Sequence, residues 1–73
     1  MEILVKFYFE SDSIKKYYVD PNETIFSLRM MLPKEYQNSK LTFAGRQLED
    51  DNIIKDVLYK SSMIYIIPNM RGD

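Results

Sequence analysis

The sequence predicts an α+β domain in which a mixed sheet of four to five strands packs on one short helix. Three observations lead to this class. Apolar and polar side chains alternate strictly over residues 1–9, which is typical of a half-buried strand. A short apolar stripe with helical spacing follows, and further alternating segments come after it. A chain of 73 residues has room for one compact core, so we expect a single domain.

The first two predicted strands form a hairpin. Residues 1–9 make the first strand, and residues 14–19 return as a second strand rich in β-branched and aromatic residues. The polar segment between them favours a turn. The facing of the second strand is ambiguous, because Tyr17 shares a face with Lys15 rather than with Ile14. A bulge or a bent hairpin tip would resolve this ambiguity.

The predicted helix begins after Thr24, a residue type that caps helix N-termini well. Its apolar stripe consists of Ile25, Leu28 and Leu32. Pro33 disfavours the helical conformation at the preceding residue, so the helix should have only about two turns. Met30 and Met31 widen the stripe, and we expect them to pack in the core.

Three later segments complete the predicted sheet. Residues 40–44 and 63–67 alternate as strands, and residues 47–48 can form a very short strand between them. In the last strand, one face carries Ile64 and Ile66 and the other carries Met63, Tyr65 and Ile67. Residues 53–59 are predicted to form a mixed loop or a single turn. We expect the first and last strands to pair in parallel at the centre of the sheet.

Composition excludes several function classes. The chain has neither cysteine nor histidine, so it lacks the thiol nucleophile, the usual general base and the commonest metal ligands. We therefore predict no catalytic residue, no cofactor and no metal site. A net charge of −1 gives no excess of cations for nucleic acid or an anionic membrane, and we expect neither partner. The absence of cysteine fits a reducing compartment, which predicts a cytoplasmic or nuclear location.

The segment 41–51, LTFAGRQLEDD, closely resembles the segment LIFAGKQLEDG of the ubiquitin family. The first six residues, MEILVK, resemble the MQIFVK of that family, and Met70-Arg71-Gly72 resembles the Leu-Arg-Gly of its tail. The resemblance covers the whole chain. It implies the β-grasp (ubiquitin-like) fold, with residues 1–73 as one ubiquitin-like domain and residues 68–73 as a flexible C-terminal tail.

The resemblance also implies a partner-binding surface, because ubiquitin-family proteins dock mainly through the solvent face of the sheet. Carried over position by position, this surface consists of Lys40, Thr42, Gly45, Arg46, Gln47, Tyr65 and Ile67. The family's hairpin-tip leucine has no clear counterpart in this chain, and Tyr8, which lies nearby on the outward face, is the candidate to replace it. Outward aromatic and β-branched side chains leave apolar area that a partner can bury. The alternative is that Tyr65 and Ile67 are simply strand-forming residues on a half-exposed strand.

Three functional hypotheses follow. The leading one is a monomeric domain that docks non-covalently on proteins recognising the ubiquitin fold, such as proteasome subunits, ubiquitin-binding modules or chaperones. It includes the case of an N-terminal domain in a larger protein. The second is a covalent modifier, conjugated through the terminus Arg71-Gly72 after removal of Asp73. The third is a structural module that self-associates through the sheet.

Lysine positions bear on the modifier hypothesis. Lys6 and Lys60 align with lysines that accept chains in the ubiquitin family, so they are candidate acceptors. Arg46 occupies the position of another such lysine, and a guanidinium group cannot form an isopeptide bond. The simpler interpretation of Lys6 and Lys60 is solvated surface charge.

Overall fold

The computed structural model of the protein describes residues 1–7 and 14–67. In this part, the strands are β1 (Glu2–Phe7), β2 (Ile14–Tyr18), β3 (Lys40–Phe43), β4 (Arg46–Gln47) and β5 (Met63–Ile67). The helices are α1 (Ile25–Met31) and α2 (Ile54–Val57), with a 3₁₀ turn at Lys34–Tyr36. The predicted α+β class is confirmed, and the architecture is consistent with a β-grasp fold. The single turn of α2 lies inside the segment predicted as a mixed loop or single turn.

The five strands form one mixed sheet with the order β2-β1-β5-β3-β4. β1 and β5 pair in parallel, and the other neighbours pair antiparallel. Val5 lies opposite Ile64 in the parallel pair, and Phe7 lies opposite Ile66. The predicted central pairing of the first and last strands is therefore confirmed.

The core lies between one face of this sheet and α1. Alternate residues of β1 and β5 point into it, and Ile25 and Leu28 of α1 meet them from the other side. The buried apolar residues are Ile3, Val5, Phe7, Val19, Ile25, Leu28, Leu32, Leu41, Leu48, Ile54, Leu58, Ile64 and Ile66. Burying such side chains supplies most of the stabilisation of a domain this small.

The ends of α1 follow from local chemistry. The backbone N–H of Ser27 donates to Oγ1 of Thr24 at 3.3 Å, as expected of an N-cap. The helix stops before Pro33, as predicted. The prediction that Met30 and Met31 pack in the core is wrong, because each is 46% exposed. Ile25 and Leu28 occupy the core-facing side of α1, and at 3.6 residues per turn Met30 falls on the side of the helix away from them, with Met31 outside the core-facing stripe.

The register with β1 resolves the facing of β2. The antiparallel pairing runs without a bulge from Glu2 opposite Tyr18 to Lys6 opposite Ile14. Tyr17 therefore shares the core side with Ile3, and the neighbouring residues of β2 point the other way. Partial burial raises the pKa of the Tyr17 phenol above its ordinary value, because desolvation disfavours the charged form.

Arg29 connects α1 to two loops. Its Nε donates to Oδ1 of Asp50 at 2.9 Å, and its Nη1 donates to the carbonyl oxygens of Gln37 and Ser39 at 2.8 and 2.6 Å. The Arg29 side chain is only 16% exposed. Because Ser39 directly precedes β3, these bonds position the chain where it enters the sheet.

Arg29→Met should lower the free energy of unfolding by about 2–3 kcal/mol, because two partly buried carbonyls lose a charged donor. Asp50→Asn should lower the free energy of unfolding by less than about 1 kcal/mol, because the Asp50 carboxylate of the ion pair is exposed to solvent. Urea denaturation of both variants checks the difference. Equal losses would show that the ion pair, and not the carbonyl contacts, is the main contribution.

Candidate functional site

The outer face of the sheet is the face that points away from α1. Residues that alternate with the buried ones along each strand, and their cross-strand partners, lie on this face. They are Glu2, Leu4, Lys6, Ile14, Lys16, Tyr18, Lys40, Thr42, Gln47, Met63, Tyr65 and Ile67. This surface collects side chains from all five strands.

One row of side chains crosses the entire outer face. Lys6 lies between Ile14 of β2 and Tyr65 of β5, and Thr42 of β3 lies between Tyr65 and Gln47 of β4. The Thr42 hydroxyl donates to the carbonyl oxygen of Tyr65 at 3.4 Å. The row places an aromatic ring at the middle of the sheet, between a lysine and a threonine.

Strand β5 contributes two exposed apolar side chains to the outer face. Tyr65 is 45% exposed and Ile67 is 37% exposed, while Met63 and the neighbouring Leu4 are half-buried. Exposed aromatic and branched side chains that adjoin each other form the kind of patch that a protein partner can bury.

The charged residues of the outer face are mostly basic. Lys40 lies opposite Ile67, Lys16 lies opposite Leu4, and Lys6 sits in the central row. The one acid among these outward residues is Glu2, whose carboxylate lies 3.5 Å from Nζ of Lys16. Three lysines and one glutamate make this face positive, although the whole chain has a net charge of −1.

The structure brings five of the predicted surface residues together on the outer face: Lys40, Thr42, Gln47, Tyr65 and Ile67. Gly45 is exposed in the turn between β3 and β4, with a φ of 80° that suits glycine. Arg46 is exposed but pairs with Phe43, whose ring packs edge-on against Tyr59. The register therefore directs Arg46 to the other side of the sheet from Thr42.

The remaining predicted residues have different outcomes. Tyr8, Arg71 and Gly72 lie outside the described residues, and so does the predicted tail at 68–73. Lys60 is exposed in the turn before β5, and Lys6 is half-buried in the central row. Their roles as conjugation acceptors stay predictions.

Sequence reasoning missed the contribution of β2 to this surface. Ile14 and Tyr18 are 48% and 69% exposed on the outer face, with Lys16 between them. The alternation of residues 1–9 already placed Leu4 outward. No comparable signal exists in β2, because its facing depends on the register with β1.

A cleft of about 410 Å³ lies between the β3–β4 turn and α2. Phe43 and Val57 contribute apolar walls, and Arg46, Glu49 and Asp56 contribute charges. Within residues 1–7 and 14–67, no group of three or more acidic side chains could hold a metal ion. Every buried side-chain nitrogen or oxygen in the same ranges has a hydrogen-bond partner.

No protein-family model matches the chain, and no curated protein matches its sequence significantly. The described part of the chain contains no helix with the length and apolar character needed to cross a membrane. The observed architecture is a small mixed sheet with one main helix, which is compatible with a ubiquitin-like fold.

Ile67→Asp should lower the free energy of unfolding by about 1 kcal/mol or less, because its side chain is on the outer face. Ile66→Asp should cost more than about 4 kcal/mol, because it would bury a carboxylate in the core. Chemical denaturation followed by circular dichroism measures both. Unfolding of the Ile67 variant in buffer would contradict the assignment of the outer face.

Proposed function

We propose that this chain is a ubiquitin-like binding domain that docks non-covalently on proteins recognising the ubiquitin fold. Proteasome subunits, ubiquitin-binding modules and chaperones of the cytoplasm or nucleus are the partner classes. The observation that carries the proposal is the exposure of Tyr65 and Ile67 beside Thr42 and Lys40, at positions that the ubiquitin resemblance assigns to docking.

The chemistry of the outer face favours a particular kind of contact. The Tyr65 ring and the Ile67 side chain offer apolar area, and such anchors at the centre of a contact contribute most of the binding energy. Lys6 and Lys40 lie beside these anchors and attract acidic groups. The matching partner surface has apolar side chains next to carboxylates.

Thr42 is compatible with this contact. Its hydroxyl already donates a hydrogen bond to the Tyr65 carbonyl oxygen. A partner that covers Thr42 therefore does not leave the hydroxyl without an acceptor. The ubiquitin-family segment has isoleucine at the position of Thr42, so threonine here reduces the apolar area at the centre of the surface. A partner therefore depends more on Tyr65 and Ile67 than on Thr42.

Tyr65→Ala and Ile67→Asp should each weaken binding to purified ubiquitin-binding modules at least about tenfold, because each removes a central apolar anchor. Isothermal titration calorimetry against a panel of such modules provides the measurement. Phe26→Asp is the matched control, because Phe26 is an apolar residue on α1 that is 50% exposed.

Two results would overturn the proposal. One is the absence of binding by the wild-type domain to every module in the panel. The other is loss of binding in Phe26→Asp with full binding in both outer-face variants, which would move the docking surface to the helix. Sedimentation of the wild-type domain distinguishes docking from self-association, since a dimer held by the outer face would dissociate in Ile67→Asp.

A further inference from the structure

The helix α1 is apolar on almost every side. Its sequence is Ile-Phe-Ser-Leu-Arg-Met-Met, and its buried residues are Ile25 and Leu28. Phe26 is 50% exposed, and Met30 and Met31 are each 46% exposed. A helix that packs one side on a core usually carries polar residues on the opposite side. The solvent side of α1 departs from this pattern, which points to a function for its apolar residues.

Phe26 and Met30 adjoin each other on the solvent side of α1, and we call this pair the α1 crest. Residues four apart in a helix lie about 40° apart around its axis and roughly 6 Å apart along it. Ile25 and Leu28 mark the core side of the helix, away from Met30. Single exposed apolar residues are common, but adjoining ones form a patch that a partner can cover.

Carboxylates lie on both sides of the α1 crest. At 3.6 residues per turn, Ser27 falls about 100° from Phe26 in one direction and Arg29 falls about 60° in the other. The Ser27 hydroxyl donates to Oε1 of Glu23 at 3.0 Å. Nε of Arg29 donates to Oδ1 of Asp50 at 2.9 Å, and the Phe26 N–H donates to the Asp50 carbonyl oxygen at 3.0 Å. These contacts hold one acid on each flank of the crest.

The net charge beside the crest is negative. Arg29 binds Asp50 and two backbone carbonyl oxygens, so this ion pair adds no net charge. Glu23 and Asp51 are exposed, and neither forms an ion pair with any residue that the structure describes. The neighbouring Lys55 of α2 is exposed and pairs with neither of them. The surface around the crest therefore attracts cationic groups.

The structure favours a helix as the occupant of the crest. Backbone groups in the middle of a helix are paired internally, so the crest offers side chains alone. An extended segment laid on it would find no backbone partners there, whereas a helix satisfies its own backbone. Apolar residues four apart form the kind of ridge that packs into the groove of a second helix. Acids on both flanks match a helix with cations on both sides of its apolar seam.

Charge argues against other occupants. If two copies of α1 met crest to crest, Glu23 and Asp51 of one copy would lie near the same acids of the other. Such like-charge juxtaposition is unfavourable. The same carboxylates repel nucleic acid and an anionic membrane surface.

We propose that the α1 crest binds an amphipathic helix of another protein, with lysines or arginines on both flanks of its apolar side. Phe26 and Met30 pack against the apolar side of this helix. Its cations lie near Glu23 on one flank and near Asp50 and Asp51 on the other. The outer face of the sheet points away from α1, so this contact and docking on the outer face can be tested independently.

The probe is a synthetic peptide with two copies of Leu-Ala-Ala-Leu-Lys-Ala-Lys between acetyl and amide caps. As a helix, it places its leucines in one seam and its lysines on both flanks, where they discourage its own dimerisation. A helix this short is only marginally formed alone in water, so binding should raise its helical circular dichroism signal. A control peptide repeats Leu-Lys-Leu-Lys-Ala-Ala-Ala, which has the same composition without a single apolar side. Equal binding of the two peptides would overturn helix docking.

Phe26→Ala combined with Met30→Ala should weaken peptide binding, measured by calorimetry, at least about tenfold, because the apolar contacts are lost. Alanine favours the helical conformation, so this variant should remain folded, which circular dichroism verifies. The matched control is Tyr18→Ala, which removes an exposed aromatic side chain of β2 and should leave the affinity nearly unchanged.

Glu23→Gln combined with Asp51→Asn should weaken peptide binding at least about threefold and reduce its dependence on salt. Glutamine keeps an acceptor for the Ser27 hydroxyl. The matched control combines Glu2→Gln with Asp56→Asn, which makes the same change in net charge on the outer face and on α2, and should change the affinity much less. Equal losses would overturn the inference, because total charge and not the crest would then attract the peptide.

Ile67→Asp separates this inference from the proposed function. It should leave peptide binding unchanged, and the Phe26/Met30 variant should still bind ubiquitin-binding modules. The inference is overturned if the wild-type domain does not bind the peptide at millimolar concentration, or if the Phe26/Met30 variant binds it equally well. Self-association of the wild-type domain that is lost both in the Phe26/Met30 variant and in Ile67→Asp would identify the outer face of a second copy as the occupant instead.

Discussion

The parallel pairing of β1 with β5 is the constraint on which the rest of the structure depends. Val5, Phe7, Ile64 and Ile66 are all almost fully buried on one face of this pair. Because side chains alternate along a strand, burying Ile64 and Ile66 directs Tyr65 outward between them. A slip of one residue would move the apolar set to the solvent face, so the core itself fixes the outer face.

Basic and acidic side chains are concentrated on different parts of the fold. The chain is nearly neutral, yet its outer face and β2 edge carry lysines, while Glu49, Asp50 and Asp51 lie beyond β4. Asp50 also has a structural role. Its carboxylate accepts a hydrogen bond from Nε of Arg29, whose other bonds hold α1 near the start of β3.

The outer face and the β2 edge expose different groups of the sheet. The outer face exposes side chains, among them Tyr65 and Ile67. The β2 edge exposes backbone groups, with Lys15 and Lys16 on opposite faces of the strand.

The sequence by itself determined the features that depend on neighbouring residues. Alternation predicted β1 and the shared face of Tyr65 and Ile67, and the ubiquitin resemblance predicted that this face is outward. Thr24 and Pro33 predicted the ends of α1. Only the tertiary structure decided the facing of β2 and the exposure of Met30 and Met31. It also decided which lysines share the outer face and which carbonyls Arg29 binds. These features depend on the pairing of segments that are far apart in the chain, and local periodicity carries no information about that register.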